Sequence, residues 1–295
     1  MKIVGMCKKD GIYSASARIR YYTFLNNIGC EWHDFKGKID GDIAYIQKIS
    51  DKDSKGFAKK AYKAGIPVIY DIDDIRENWN SKGYDSIIKY ATAITTDTKE
   101  KQAIIGKYTG KPCYVVPDCI DYGITERVVD KINIIVDTVV TFGNKVTVQN
   151  TVEYMEKIPC NKYHICNEKI EGAGTFQRWE PKTFIDKLAK FDLAILANRK
   201  HWTASLKSNN RLLVCMAIGL PVIAMDIPAY SEILNMPEFY SGRLLFRHDP
   251  TFALKHMNYE VRKDLSKRMP KYAFENYSPK KSAQKLYEVF KHYGD

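Results

Sequence analysis

Three short stretches of this 295-residue chain hold residue types able to do chemistry. In the first, Lys207, Ser208, Asn209, Asn210 and Arg211 open an apolar run from Leu212 to Ile218 that Gly219 ends. The unpaired N–H groups and the dipole at such a helix start favour an anion, and the flanking cations and polar side chains add donors. The stretch therefore reads as a phosphate site, although Ser208 or Asn209 also suits a plain helix cap. In the second, Asp71, Asp73 and Asp74 follow the apolar run Pro67–Tyr70. A carboxylate at the exit of a buried strand can act as general base toward a hydroxyl, and the same residues equally suit a tight turn. In the third, Ser14, Ala15, Ser16 and Ala17 precede Arg18 and Arg20. Small residues allow a ligand to come close and guanidinium groups clamp anionic oxygens; two surface arginines on a helix are the alternative.

Strands alternating with helices must position these residues. Lys2–Met6 predicts a strand, Ala17–Ile28 a helix, Asp42–Gln47 a strand, Ser54–Ala64 a helix and Pro67–Tyr70 a buried strand. Ser86–Ala91, Ala93–Thr96, Lys99–Tyr108 and Tyr114–Val116 continue the alternation. After a linker at Asp118–Asp130 a second series follows: strand Val139–Phe142, helix Val148–Lys157, strand Lys162–Ile165, helix Thr183–Lys190 and strand Asp192–Leu196. The helix closed by Gly219 then leads to a strand at Leu220–Ala224, and an amphipathic helix spans Pro279–His292. Such alternation specifies an α/β fold with mostly parallel sheets.

Taken in order, SARIRYYTFLNNIG, AGIPVIYDIDD, ITTDTKE with VVPDCID, VTFGN, KFDLAIL and KSNNRLLVCMAIGLPVIA resemble the nucleotide-sugar glycosyltransferases of the GT-B architecture, as a divergent GT4-like branch. The resemblance implies two Rossmann-like domains facing across a cleft. An acceptor domain would span 1–120 and a nucleotide-sugar donor domain 131–278, with the C-terminal helix 279–295 crossing back to the first. It also assigns roles. Lys207 and Arg211 would neutralise the departing diphosphate, with Ser208, Asn209 and Asn210 beside them. Gly143, Asn144 and Lys145 would meet the donor at the tip of a strand, or form a simple turn. Arg178 and Trp179 would flank the nucleobase, unless Trp179 is core or groove wall; Glu232 would hold the ribose hydroxyls or simply favour a helix start, and Tyr230 would lie at the donor. Asp71, Asp73 and Arg18 would serve catalysis, and Ser16, Arg18, Arg20 and Asp74 the acceptor. One departure stands out: the paired glutamates that many retaining members carry correspond here to Leu206 and Val214. Asp71-Ile72-Asp73 also matches the DxD metal signature of the other glycosyltransferase architecture, GT-A, but that reading leaves the second half of the chain unexplained, so no bound metal is expected.

Forty-six Lys and Arg against 35 Asp and Glu give a formal net charge of +11. That balance favours polyanionic partners, either nucleic acid or an anionic membrane face met peripherally, and Lys8, Lys9, Arg18 and Arg20 would form a basic rim. The expected activity is hexosyl or pentosyl transfer from a nucleotide-diphosphate sugar, UDP-linked, as co-substrate, with no permanent cofactor. The acceptor hydroxyl would lie on a hydroxymethylated base of phage DNA, or on an envelope, capsule or lipid-linked glycan. A non-catalytic nucleotide-sugar-binding module is a third reading. No apolar run reaches the roughly 20 residues that cross a bilayer. The strand at Lys2 leaves no room for a signal peptide, and the seven scattered cysteines show no CxxC pair. A cytoplasmic protein with reduced thiols is expected.

Overall fold

The computed structural model describes residues 1–8, 13–75, 84–121, 123–126, 128–198 and 201–294. The chain divides into two compact units, one of Met1–Tyr122 with Tyr277–Asp295 and one of Gly123–Asn276.

Six strands form the sheet of the first unit: β1 (Lys2–Met6), β2 (Glu31–Asp34), β3 (Ile43–Gln47), β4 (Val68–Asp71), β5 (Ala93–Thr96) and β6 (Cys113–Val115). Their order is β2-β1-β3-β4-β5-β6 and every pairing is parallel. β3, β4 and β5 are buried along their whole length, which explains their near-continuous apolar sequences. Because β1 is flanked by β2 on one side and β3 on the other, the connections reverse direction there. Ligands of open α/β sheets bind at the carboxyl ends of strands at such a reversal.

The expected helix after β1 is wider than an α-helix over Ala17–Thr23 and becomes α-helical at Phe24–Asn27. Its wide turn shows in the Thr23 hydroxyl, which donates to the Arg18 carbonyl five residues back at 2.7 Å. Ile19, Tyr21, Phe24 and Leu25 pack with Tyr45 of β3 and with Ala283, Leu286 and Phe290 of the last helix, Pro279–Gly294. Gly5 makes room for this layer, since a Cβ there would stand 2.3 Å from the Tyr21 hydroxyl.

The second unit has β7 (Thr138–Phe142), β8 (Asn161–Cys166), β9 (Thr175–Arg178), β10 (Leu193–Leu196), β11 (Val222–Met225) and β12 (Leu245–Phe246). The order is β12-β11-β10-β7-β8-β9, again all parallel, so the reversal falls between β7 and β10. Helix Asn210–Ile218 buries every residue from Leu212 on. It ends at Gly219, whose φ of 79° turns the chain so that the Leu220 N–H reaches back to the Cys215 carbonyl at 2.9 Å. The single helix expected at Val148–Lys157 is instead two short ones, Lys145–Gln149 and Val152–Met155. Among the described residues no helix is long and apolar enough to cross a membrane.

Candidate functional site

In the second unit, Arg211 ties together the carboxyl ends of β7 and β10. Its Nη2 donates to the Ala197 carbonyl at 2.9 Å and to Asn198 Oδ1 at 3.0 Å, and Nη1 reaches the Phe142 carbonyl at 3.5 Å. A cation is thus fixed at the sheet reversal, one residue inside a helix start. Asn209 occupies the cap position of that helix, yet its side chain makes no capping hydrogen bond. Among the described residues no acceptor takes the first-turn N–H groups, which are open to another. Two amide groups beside them, Asn198 Nδ2 and Asn210 Nδ2, are buried without a hydrogen-bond partner among the described residues. Lys207 is exposed, and Ser208, Asn209 and Asn210 are partly so.

Gly143 follows β7 with a φ of 142°, where a Cβ would lie 3.0 Å from Thr147 Cγ2 and 3.7 Å from Arg211 Cδ. Bare backbone therefore faces Arg211, the condition for close approach of a phosphate. Asn144 acts locally, since its Oδ1 accepts from the Thr147 N–H at 2.9 Å and caps helix Lys145–Gln149. Lys145 is exposed and paired with Glu168 at 3.0 Å.

Trp179 follows β9 and is partly buried, with its ring 6.3 Å from Phe184, which in turn lies 5.4 Å from Phe142. This aromatic series connects the Trp179 position to the end of β7. Arg178 is exposed. One expectation needs correction. Tyr230 is 1% exposed and belongs to the core, so its ring packs rather than facing a donor. Glu232 is exposed, and as the fifth residue of helix Pro228–Leu234 it lies beyond the first turn, which sets aside the helix-start alternative and not the ribose role. The carboxylate that does stand at that strand exit is Asp226, which accepts from Ser231 and from Arg247 and is held below the usual carboxylate range by them.

The first unit corrects the catalytic assignment more deeply. Arg20 is 1% exposed and Asp71 fully buried. Arg20 Nε and Nη2 meet the two Asp71 oxygens at 2.8 and 2.7 Å, and Nη1 meets the Val116 carbonyl and Asp118 at 2.8 and 2.9 Å. Thr95 donates to Asp71 as well, at 2.7 Å. Burial works against the Arg20 charge, but the Asp71 and Asp118 carboxylates hold it firmly protonated. Arg18 binds Asp121 in the same two-pronged way, both bonds at 2.6 Å. Arg20 and Asp71 are consequently a buried clasp whose charges are spent on each other and on Asp118, out of a ligand's reach, while the partly buried Arg18 is tied to Asp121 beside it. Lys9 of the basic rim lies outside the described residues.

Ser16, Asp73 and Asp74 do converge, and the residue that gathers them is Lys48. Its Nζ lies 3.2 Å from Ser16 Oγ, 3.3 Å from Asp73 Oδ1 and 3.6 Å from Asp74 Oδ2. Burial pushes the Asp73 carboxyl up, but Lys48 and the more distant cations outweigh it and leave the group below its ordinary range. Lys48 and Asn198 carried one signal in the sequence, a polar residue directly or two places after an apolar strand.

No family model matches the chain, and no curated protein matches its sequence. Solved structures do. Anabaena Alr3699/HepE, solved with UDP and with UDP-glucose, has a TM-score of 0.68 in both forms at 12% and 11% identity, covering 99% of this chain and all of the other. The lipopolysaccharide outer core galactosyltransferase WaaB gives 0.62 at 12% identity, over 99% of this chain and 100% of its own. An alpha-glucosyltransferase in complex with UDP and a 13-mer DNA gives 0.54 at 13% identity, over 98% and 95%. At such identities the likeness establishes the fold: two parallel α/β units of the GT-B architecture.

Proposed function

We propose that the chain is a glycosyltransferase that moves a sugar from a UDP-sugar to an acceptor hydroxyl. The observation that carries this reading is Arg211, held across the ends of β7 and β10 beside an uncapped helix start and the bare backbone of Gly143. Phosphate oxygens would take the free N–H groups and the guanidinium, with Lys207 adding charge from the exposed side. In the reaction the bond from the anomeric carbon to the β-phosphate oxygen breaks and its electrons go to UDP. The acceptor oxygen bonds the same carbon and gives up its proton to the departing diphosphate or to water, so the products are the glycoside, UDP and that proton. Charge grows on the diphosphate as that happens, so donors already in place are worth about 3–4 kcal/mol of barrier each. HepE with UDP-glucose supports the donor class by its fold. We place no metal in the reaction, because Asp71 is neutralised by Arg20 and Asp73 by Lys48. With seven free cysteines, a reducing cytosol suits the protein.

Net charge and the DNA-bound neighbour favour a hydroxymethylated base in phage DNA as acceptor, and WaaB favours an envelope glycan. The non-catalytic reading draws on Leu206 and Val214, which replace the usual glutamates and are 4% and 2% exposed. Thermal-shift titration tests the donor site. UDP at about 100 times its Kd should stabilise the chain by about 2.7 kcal/mol, and Lys207→Ala and Arg211→Ala should lose most of that gain. If both variants respond as the parent does, the donor site lies elsewhere. Release of UDP from UDP-glucose separates an enzyme from a binding module.

A further inference from the structure

Helix Lys52–Lys63 of the first unit carries cations that no pairing inside the molecule explains. Its apolar side packs into the core, where Phe57, Ala58 and Ala61 are fully buried. Outward it shows Lys52, Lys55, Lys59, Lys60 and Lys63, all exposed, against Asp53 on the helix and the capping Asp51 before it. Among the described residues none of the five lysines is ion-paired to a carboxylate. Lys52, Lys55, Lys59 and Lys63 follow one another at intervals of three and four, so successive ones share a face and repel. The helix dipole favours cations in the last turn, which accounts for Lys60 and Lys63, and opposes one at the first position, where Lys52 stands. Folding by itself does not favour this row.

The surface continues on both flanks. Phe35, just after β2, stacks on Phe57 at 4.4 Å, and the Lys60 ammonium lies 5.8 Å over the Phe35 ring and 3.4 Å from the Gly37 carbonyl. That loop brings the exposed Lys36 and Lys38 beside the helix, while its Asp40 is bound by Lys2 at 2.9 Å and also feels Lys38. On the other flank Tyr62, 60% exposed, packs 5.7 Å from Tyr90, whose ring carries the Lys89 ammonium at 5.1 Å. The helix runs from the carboxyl end of β3 to the amino end of β4, so its outer face looks away from the sheet and not onto the strand ends.

We propose that the outer face of helix Lys52–Lys63, with Lys36 and Lys38, is a docking surface for the phosphodiester backbone of duplex nucleic acid. This goes beyond the donor reading and needs no UDP. From Lys52 to Lys63 the helix advances about 16 Å, the axial length of about five phosphates on one strand of a duplex. A row of ammonium groups meets that row of charges, releases the counterions condensed on it and is relieved of its own repulsion. The Tyr62 hydroxyl adds a donor for a phosphate oxygen. A lipid surface is the poorer match. A helix that lies in a membrane interface sinks its apolar face among the lipids, and here that face is inside the protein, with Tyr62 left outside.

Fluorescence anisotropy of the full chain with labelled DNA duplexes of about 20 base pairs, titrated between about 50 and 200 mM salt, tests the surface. The parent should bind two duplexes of unrelated sequence within about twofold of each other, and log Kd should climb steeply with log salt. Lys52→Gln, Lys55→Gln and Lys59→Gln combined should lower that slope by about 3 and weaken binding by about tenfold or more. Lys36→Gln with Lys38→Gln should lower it by about 2. The same charge removed from the exposed side of the last helix, by Lys280→Gln, Lys281→Gln and Lys285→Gln, should change it by less than about 1. Thermal melts of the first triple variant at or above the parent's midpoint certify that it folds, since only like charges were removed. A parent that binds no duplex, or equal losses in the two triple variants, would overturn the surface. So would flotation with phosphatidylserine vesicles that the first triple abolishes while its duplex binding persists. UDP enters none of these readouts, so the donor reading stands or falls apart from them.

Discussion

Arg20 and Asp71 show why residue type near a helix start is a poor guide to role. Both sat at positions suited to chemistry, yet they meet each other, with Asp118 and Thr95, out of reach of solvent. Their partners come from 24 to 98 residues away, so nothing local in the sequence reveals the pairing. Deleting one member strands the other without water. Arg20→Ala or Asp71→Asn should therefore cost about 3–5 kcal/mol in urea titrations, while the Kd for UDP of the folded fraction stays unchanged. Asp97 supplies a pH test. Burial raises its carboxyl to about 6 against the pull of Lys101. The folded chain keeps a proton there that the unfolded chain releases above about 4, so this contribution is complete below that value and is lost as pH rises through about 6. Asp97→Asn removes the titration, and the parent should lose stability relative to the variant between pH 4 and pH 7. Parallel stability curves would rule this out.

At the level of elements, legibility followed burial. β3, β4, β5 and β10, apolar on both faces, were plain in the sequence. β2 and β9 were not, because Glu31–Asp34 and Thr175–Arg178 lie at sheet edges with half-exposed side chains and mixed composition. β12 escaped notice as a two-residue strand. The helix Asn210–Ile218 was legible from Leu212 to its Gly219 stop, whereas the anchoring of Arg211 on two strand ends was not, since it needs β7 and β10 side by side. Gly143 joins those elements. Gly143→Ala combines a left-handed backbone with a Cβ 3.0 Å from Thr147 Cγ2, and should destabilise the unit by about 1–3 kcal/mol and weaken UDP binding. Adding Thr147→Ser removes Cγ2 but leaves the residue's Cβ at 3.2 Å and the backbone as it is, so it should recover only part of the loss. Full recovery would show that crowding alone was at fault.

For the molecule as a whole, the α/β series and the GT-B likeness gave the architecture, and the net charge of +11 pointed to a polyanion. Charge summed over 295 residues does not describe one site, because the strongest cations of the first unit are internally neutralised. The last helix had a readable apolar face, and Phe290 and Leu286 bury it against Tyr45 and Phe24.

The clasp between the chain's first helix and Asp118–Asp121 has a kinetic consequence. Its ion pairs join residues 98 and 103 positions apart, and the intervening chain contains most of the first sheet. Such distant contacts close after the strands have assembled, and interactions absent from the rate-limiting barrier govern how fast a protein comes apart. Asp118→Asn and Asp121→Asn should therefore steepen the loss of native signal after a jump into denaturant and leave the refolding rate nearly unaltered. The two pairs act as a latch on lifetime, keeping an assembled sheet from opening at the point where its chain departs.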